Sequence, residues 1–246
     1  MIADISIEGR HIRVDLSKPI DISLPVMKGG VKAWYVQDPE FESVRMGDWI
    51  GEVAQGGSVN FRNITFNPHG HGTHTECVGH ISREIHSVNR SLKKFFFLSE
   101  LITLVPEQKN SDHVITKKTL EEKLKGSAPE ALLLRTLTDK INPPYKDFSN
   151  TNPPYLEKEC MEMLVQKGIS HLLLDMPSVD KEVDDGKLEA HSAFWEYPHN
   201  TNFFRTITEM IFVPMEIPDG CYLLELQVAP FENDAAPSRP VLYKLI

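Results

Sequence analysis

Between Pro68 and Ile81 the chain reads P-H-G-H-G-T-H-T-E-C-V-G-H-I, which concentrates four of its ten histidines and a carboxylate in one short stretch. Imidazole and carboxylate together supply the borderline ligands that zinc, iron and manganese accept, so this density reads as a metal site. The competing reading is a histidine-rich surface loop with weak, adventitious metal affinity. Spacing favours the site. If the segment after Gly72 is extended, His74, Glu76 and His80 share parity and project to one face, because side chains alternate along a strand. His69 and His71 have the opposite parity, and a turn at Gly70 and Gly72 is needed before either joins them. By the same parity Cys77 points away from the ligand face and reads as a buried structural thiol.

The remaining pattern is that of an enzyme-sized α/β domain spanning residues 1–246. Apolar and β-branched content predicts strands at Ile12–Leu16, Gly57–Phe66, Ala131–Leu137, Ile169–Leu174 and Thr206–Phe212. Tyr222–Ala229 and Val241–Ile246 complete a sheet, with a turn at Pro218-Asp219-Gly220. Helices are expected at Lys118–Leu124 behind the cap Thr116, and at Pro154–Lys167, ended by Gly168.

The 35 acidic against 26 basic residues give a net charge of -9, which opposes binding to a phosphate backbone and argues against nucleic acid as a partner. Three scattered cysteines point to a reducing compartment rather than a disulfide framework. Met1–Ser17 lacks the basic head and apolar run of a secretory signal. The most apolar stretch, Phe95–Val105, is too short to span a bilayer, so the expectation is a cytoplasmic protein with no membrane partner.

The histidine segment resembles the motif H-x-G-T-H-x-D-x-P-x-H of the cyclase-like metal-dependent hydrolases, a family that includes bacterial kynurenine formamidase and isatin hydrolase. The aligned stretch here is Gly70 to His80. Its G-T-H core and final histidine match, while Gly70 stands at the first histidine, Glu76 at the aspartate and Val78 at the proline. The opening R-V-D-L-S-K-P-I, the central L-L-L-R-T at Leu132–Thr136 and L-L-L-D-M-P-S-V-D at Leu172–Asp180 extend the resemblance over most of the chain. The family's second ligand group falls on His191 in A-H-S-A-F-W and Glu209 in I-T-E-M, with Glu196–Asn202 between them read as an insertion at the pocket rim.

The resemblance implies a single mixed-sheet α/β domain of the swivelling β/β/α type. It further implies a homodimer or homotetramer, and hydrolysis of a carbon–nitrogen amide bond in an N-formyl arylamine such as N-formylkynurenine or in a cyclic amide. The cofactor expected is one or two divalent transition ions, zinc or manganese, which activate water and polarise a carbonyl. The candidate ligands are His74 and Glu76, one of His69 and His71, with His71 favoured as the nearer to His74, and then His191 and Glu209. His80 is assigned general acid/base work, with metal ligation as its alternative. Asp175, Ser178 and Asp180 either orient a ligand histidine or form a turn. Of the aromatics, Trp34, Trp49, Phe61, Phe66 and Trp195 are candidates for substrate contact and, more commonly, for core. A lactone or ester hydrolase, a dehydratase, and a noncatalytic metal or small-ligand binder are the alternative functions.

Overall fold

Four segments dominated by Leu, Ile and Thr lie parallel at the centre of a nine-stranded sheet: Phe96–Leu104, Ala131–Thr136, His171–Leu174 and Thr206–Glu209. The computed structural model describes residues 1–7, 9–136 and 147–246. Beyond Phe96–Leu104 come the antiparallel strands Gly220–Glu225, Val241–Lys244 and Ile20–Asp21. Beyond Thr206–Glu209 come His74–Glu76 and Ala235–Pro237, also antiparallel, so the sheet is mixed as expected.

Parallel strands must be covered on both faces, and the alternation of their apolar residues provides for it. Leu132, Leu134, Leu172, Leu174 and Ile207 pack against the helices Lys117–Leu124, Lys158–Gln166 and Glu189–Trp195. Ala131, Leu133 and Leu173 point the other way and join Ile22, Phe97, Ile211 and Leu242. Leu132 is fully buried at the centre of the helix-side core. Leu132→Ala is therefore expected to lower unfolding stability by about 2–5 kcal/mol, as large-to-small changes in cores do, measured by urea denaturation.

Most of the expected elements form, with shifted ends. Thr116 caps the first of these helices, its hydroxyl accepting from the Thr119 amide at 3.2 Å. The helix expected from Pro154 begins only at Lys158, because the Leu156 and Glu157 amides are taken by the carbonyls of Val179 and Ile115 and Tyr155–Leu156 becomes a strand. The strand expected to end at Leu137 is seen to Thr136; Leu137 itself lies outside the described residues. Gly57–Phe66 does not enter the main sheet. Only Arg62–Thr65 is strand, and it pairs with Glu40–Ser43 in an exposed two-stranded ribbon. Phe95–Val105 supplies a central strand, and no helix among the described residues is long and apolar enough to cross a membrane.

Candidate metal centre

The site lies at the C-terminal end of the parallel strands, where open α/β sheets commonly present their ligands. Its floor is the pairing of His74–Glu76 with Thr206–Glu209. Glu209 lies opposite His74 and Ile207 opposite Glu76, so these side chains share the helix-facing side, while Thr75 and Thr208 bond hydroxyl to hydroxyl at 2.8 Å on the other. The parity of His74 and Glu76 thus becomes a shared face. It does not carry through to His80. The strand ends at Glu76, and His80 arrives on a 3₁₀ turn, Val78–His80, whose histidine amide donates to the Cys77 carbonyl. Cys77 is buried beside Val88 and Ala236, and burial pushes its thiol up.

The G-T of the motif builds the approach to this strand. Gly72 takes φ +67°, and a Cβ there would lie 2.9 Å from the Leu24 carbonyl oxygen. The Thr73 hydroxyl accepts from the Leu24 amide at 2.7 Å and donates to the Met210 carbonyl at 2.5 Å, clamping the segment beside the end of the Thr206–Glu209 strand.

A turn just before it settles which flanking histidine faces the cluster. The Asn67 side chain accepts from the amides of His69 and Gly70, both at 2.9 Å, and this Asx turn swings His69 inward. His69 Nδ1 sits 3.0 Å from Glu76 Oε2. His71 is directed elsewhere: its Nδ1 accepts from the Asn67 amide at 2.9 Å and its Nε2 donates to the Gln37 carbonyl at 2.7 Å. With both nitrogens engaged away from the cluster, His71, favoured from its nearness to His74, supports the turn instead, and His69 is the one that faces the cluster.

His191 enters from the helix Glu189–Trp195. Asp180 accepts from its Nδ1 at 2.6 Å and also from the amides of Ala190 and His191, fixing the ring and the helix start together. Nε2 then faces Glu76 Oε1 at 3.2 Å and Glu209 Oε1 at 3.9 Å. Of the two roles open to Asp180, orienting a site histidine is the one observed, while Ser178 bonds the Asp180 amide. Asp175 accepts from the Thr136 amide instead, and burial pushes its carboxyl up to about 7.

Three buried polar atoms in this cluster, His74 Nε2, Glu76 Oε2 and Glu209 Oε1, have no hydrogen-bond partner. His74 Nε2 is 3.3 Å from Glu209 Oε2, but not in bonding alignment. Leaving such groups unsatisfied costs about 1–3 kcal/mol each, more when charged, and a cation held among them would remove that cost. His69, His74 and Glu76 each offer a ligand atom within 4.8 Å of one another, as do Glu76, His80 and His191. The donor set fits a divalent transition ion.

Electrostatics agree. Burial works to raise Glu76, but the charge of His80, the hydrogen bond of His191 and the His69 ring beside its other oxygen hold it well below the usual carboxylate range. Burial and the charge of Glu76 raise Glu209. Burial works against charge on His69 and His191, yet their carboxylate partners, Asp234 and Glu76 for one and Asp180 and Glu76 for the other, push both up to about 10. The carboxylates thus draw protons onto imidazoles, and a metal ion would supply the same positive charge.

Asp234 is the residue that sequence reasoning missed. It precedes the edge strand Ala235–Pro237, and its Oδ2 lies 2.6 Å from His69 Nε2 and 3.7 Å from His80 Nδ1. No local pattern in F-E-N-D-A-A-P marks it.

A cavity of about 440 Å³ opens above the cluster, with His69, His80, His191 and Glu209 at its base and Trp34, Val36 and Leu188 as apolar wall. Trp34 and Tyr35 both adopt left-handed backbone, φ 62° and 59°, a strained pair. The Tyr35 hydroxyl donates to Glu182, which also receives the amides of Asn150 and Asn152 and so ties three loops at the rim. Trp195 is core, its indole N–H donating to the Arg205 carbonyl. Trp49 and Phe61 pair on the exposed ribbon side, and Phe66 packs near Phe231. No residue of Glu196–Asn202 lines this cavity.

A mixed sheet carrying a buried His/Glu cluster at the ends of its parallel strands defines an α/β protein with a site whose donors suit a divalent metal. Residues 14–181 match the Cyclase family model, described as "Putative cyclase". Over 232 residues the chain is 31% identical to the kynurenine formamidase of Bacillus cereus, covering 92% of this chain and 97% of that one. Isatin hydrolase A from Labrenzia aggregata shares the fold with a TM-score of 0.64 at 13% identity, covering 92% of this chain and 93% of that one. So does a "predicted metal-dependent hydrolase" from Bacillus stearothermophilus, with a TM-score of 0.62 at 16% identity, covering 92% and 98%. The chain belongs to the Cyclase family.

Proposed function

We propose that the protein is a metal-dependent hydrolase of the carbon–nitrogen amide bond of an N-formyl arylamine, N-formylkynurenine being the first substrate to test. The observation that carries this reading is the group of unpartnered buried atoms on His74, Glu76 and Glu209, the last of which lines a cavity that also holds His69, His80, His191 and Trp34. The similarity to kynurenine formamidase over nearly the whole chain supports the substrate class. His69, His74, Glu76, His191 and Glu209 would hold the metal, with zinc favoured by the nitrogen-rich donor set and one or two ions accommodated. When bound, the ion supplies Lewis acidity and lowers the pKa of water.

The chain's own residues supply the rest. Asp180 keeps His191 in the tautomer that leaves Nε2 facing the cluster. His80, 30% exposed at its side chain and lining the cavity, would take a proton from water and return it to the departing amine, a role its access to the cavity supports. The Trp34 indole gives an aryl ring an apolar face beside the polar base. Trp34→Ala is accordingly expected to raise KM for aryl formamides about tenfold while leaving KM for formamide itself little changed, in steady-state kinetics on both.

A cytoplasmic setting is supported by three unpaired cysteines. Self-association is supported by the exposed ribbon, which shows Phe41 and Ile64 to solvent. The functional test is a turnover panel of N-formylkynurenine, formanilide, isatin and simple lactones. Amide hydrolysis well above lactone hydrolysis is expected. Preference for lactones would overturn the amide assignment, and no turnover with metal bound would favour a binding protein.

A further inference from the structure

A histidine at position 70, where the motif places one, would force Val36 aside. A Cβ on Gly70 would lie 2.8 Å from Val36 Cγ2 and 3.3 Å from the Ala33 carbonyl oxygen, and Val36 is part of the cavity wall. His69 comes into the cluster from the neighbouring position, and a ring arriving from there needs something to set its rotation. Asp234 is built to do this. Its Oδ2 lies 2.6 Å from His69 Nε2, which leaves Nδ1 directed at Glu76 Oε2, one of the unpartnered buried atoms.

The carboxylate is itself anchored to the ligand strand. The Asp234 carbonyl accepts from the Cys77 amide at 3.0 Å, and the next residue, Ala235, lies opposite Glu76 in the sheet. Room for it is made by Gly79, where a Cβ would lie 2.9 Å from the Asp234 Cβ. The arrangement repeats what Asp180 does for His191: an outer carboxylate holds one ring nitrogen, and the other faces Glu76. Metal-binding histidines are commonly held in this manner, and loss of the outer partner typically costs about 10–100-fold in metal affinity.

We propose that Asp234 is a positioning residue of the metal centre, turning His69 so that its Nδ1 takes the place of the histidine that Gly70 lacks. The inference rests on the metal-centre reading above and assigns a role to a residue outside the motif. It also places Asp234 beside His80, whose Nδ1 is 3.7 Å from the same oxygen.

The test is zinc affinity, measured by competition with a chromophoric chelator, for the wild type, Asp234→Asn, Asp234→Glu, His69→Ala and the double variant His69→Ala/Asp234→Asn. Asp234→Asn is expected to bind zinc about 10–100-fold more weakly, and Asp234→Glu to recover part of that loss. The double variant is expected to bind no more weakly than His69→Ala alone, because Asp234 acts through His69. Cobalt in place of zinc gives a second readout, with visible absorption bands altered in Asp234→Asn and matching those of His69→Ala. Wild-type zinc affinity in Asp234→Asn would overturn the inference and leave the metal centre standing. So would a double variant whose loss is the product of the two single losses, which would make Asp234 a ligand in its own right. A wild-type chain that takes up no zinc at all would remove both.

Discussion

His74→Ala should purify with little or no transition metal under conditions where the wild type retains it, and its affinity should fall by roughly a hundred- to a thousandfold. His74 is fully buried, its Nε2 is unpartnered, and the Thr73 clamp and the pairing with Glu209 leave it no other place to point. Its removal deletes one donor and leaves Glu76 and Glu209 as two buried carboxylates with less positive charge to hold them. Glu76→Gln should weaken binding comparably, since the amide keeps the shape and loses the charge. Elemental analysis of dialysed protein checks both variants. Wild-type metal content in His74→Ala would mean that the ion, if any, is held elsewhere.

The second large effect is on rate. His80→Ala is expected to lose about a hundred- to ten-thousandfold in turnover while keeping most of its metal. His80 lines the cavity and is the most exposed histidine of the group, and its Nδ1 lies 3.9 Å from Glu76 and 3.7 Å from Asp234, longer than the bonds that fix His69 and His191. That combination suits a group that moves protons better than one that locks an ion. His80→Gln should fail to rescue, because an amide does not cycle a proton near neutral pH. A near-normal rate in His80→Ala would remove the role. A rate loss that tracks lost metal would make His80 a ligand instead.

Legibility of the site in the sequence divides along a physical line. His74 and Glu76 were readable because strand alternation is local, and two residues of like parity face one way whatever surrounds them. His80 shares that parity by coincidence; a 3₁₀ turn, not the strand, delivers it. His191 and Glu209 came from the resemblance alone, since their meeting depends on a helix and a strand far apart from the motif in sequence. The choice between His69 and His71 turns on the Asn67 side chain, whose hydrogen bonds to two following amides no periodicity reports. Asp234 had no signal, because a lone aspartate before an edge strand acquires its role only when that strand pairs with the ligand strand.

The same division holds for the fold. Ala131–Thr136 and His171–Leu174 declare themselves by continuous apolar runs, as strands buried on both faces do. Phe96–Leu104 was disguised by Ser99 and Glu100, which the sheet accommodates by letting the Ser99 hydroxyl donate to the Tyr222 carbonyl and Glu100 bond Ser127. The helix Glu189–Trp195 is short and begins beyond an acidic, glycine-containing stretch that reads as loop; Asp180, nine residues earlier, supplies its start.

The most direct measurement follows N-formylkynurenine hydrolysis and bound metal in one preparation, stripped with a chelator and then titrated with zinc. The expected result is turnover that disappears on stripping and returns in proportion to metal bound at the His/Glu cluster, with Glu76→Gln recovering neither. Full turnover in the stripped protein, or full metal occupancy with no hydrolysis of N-formylkynurenine or any other formamide, would contradict it.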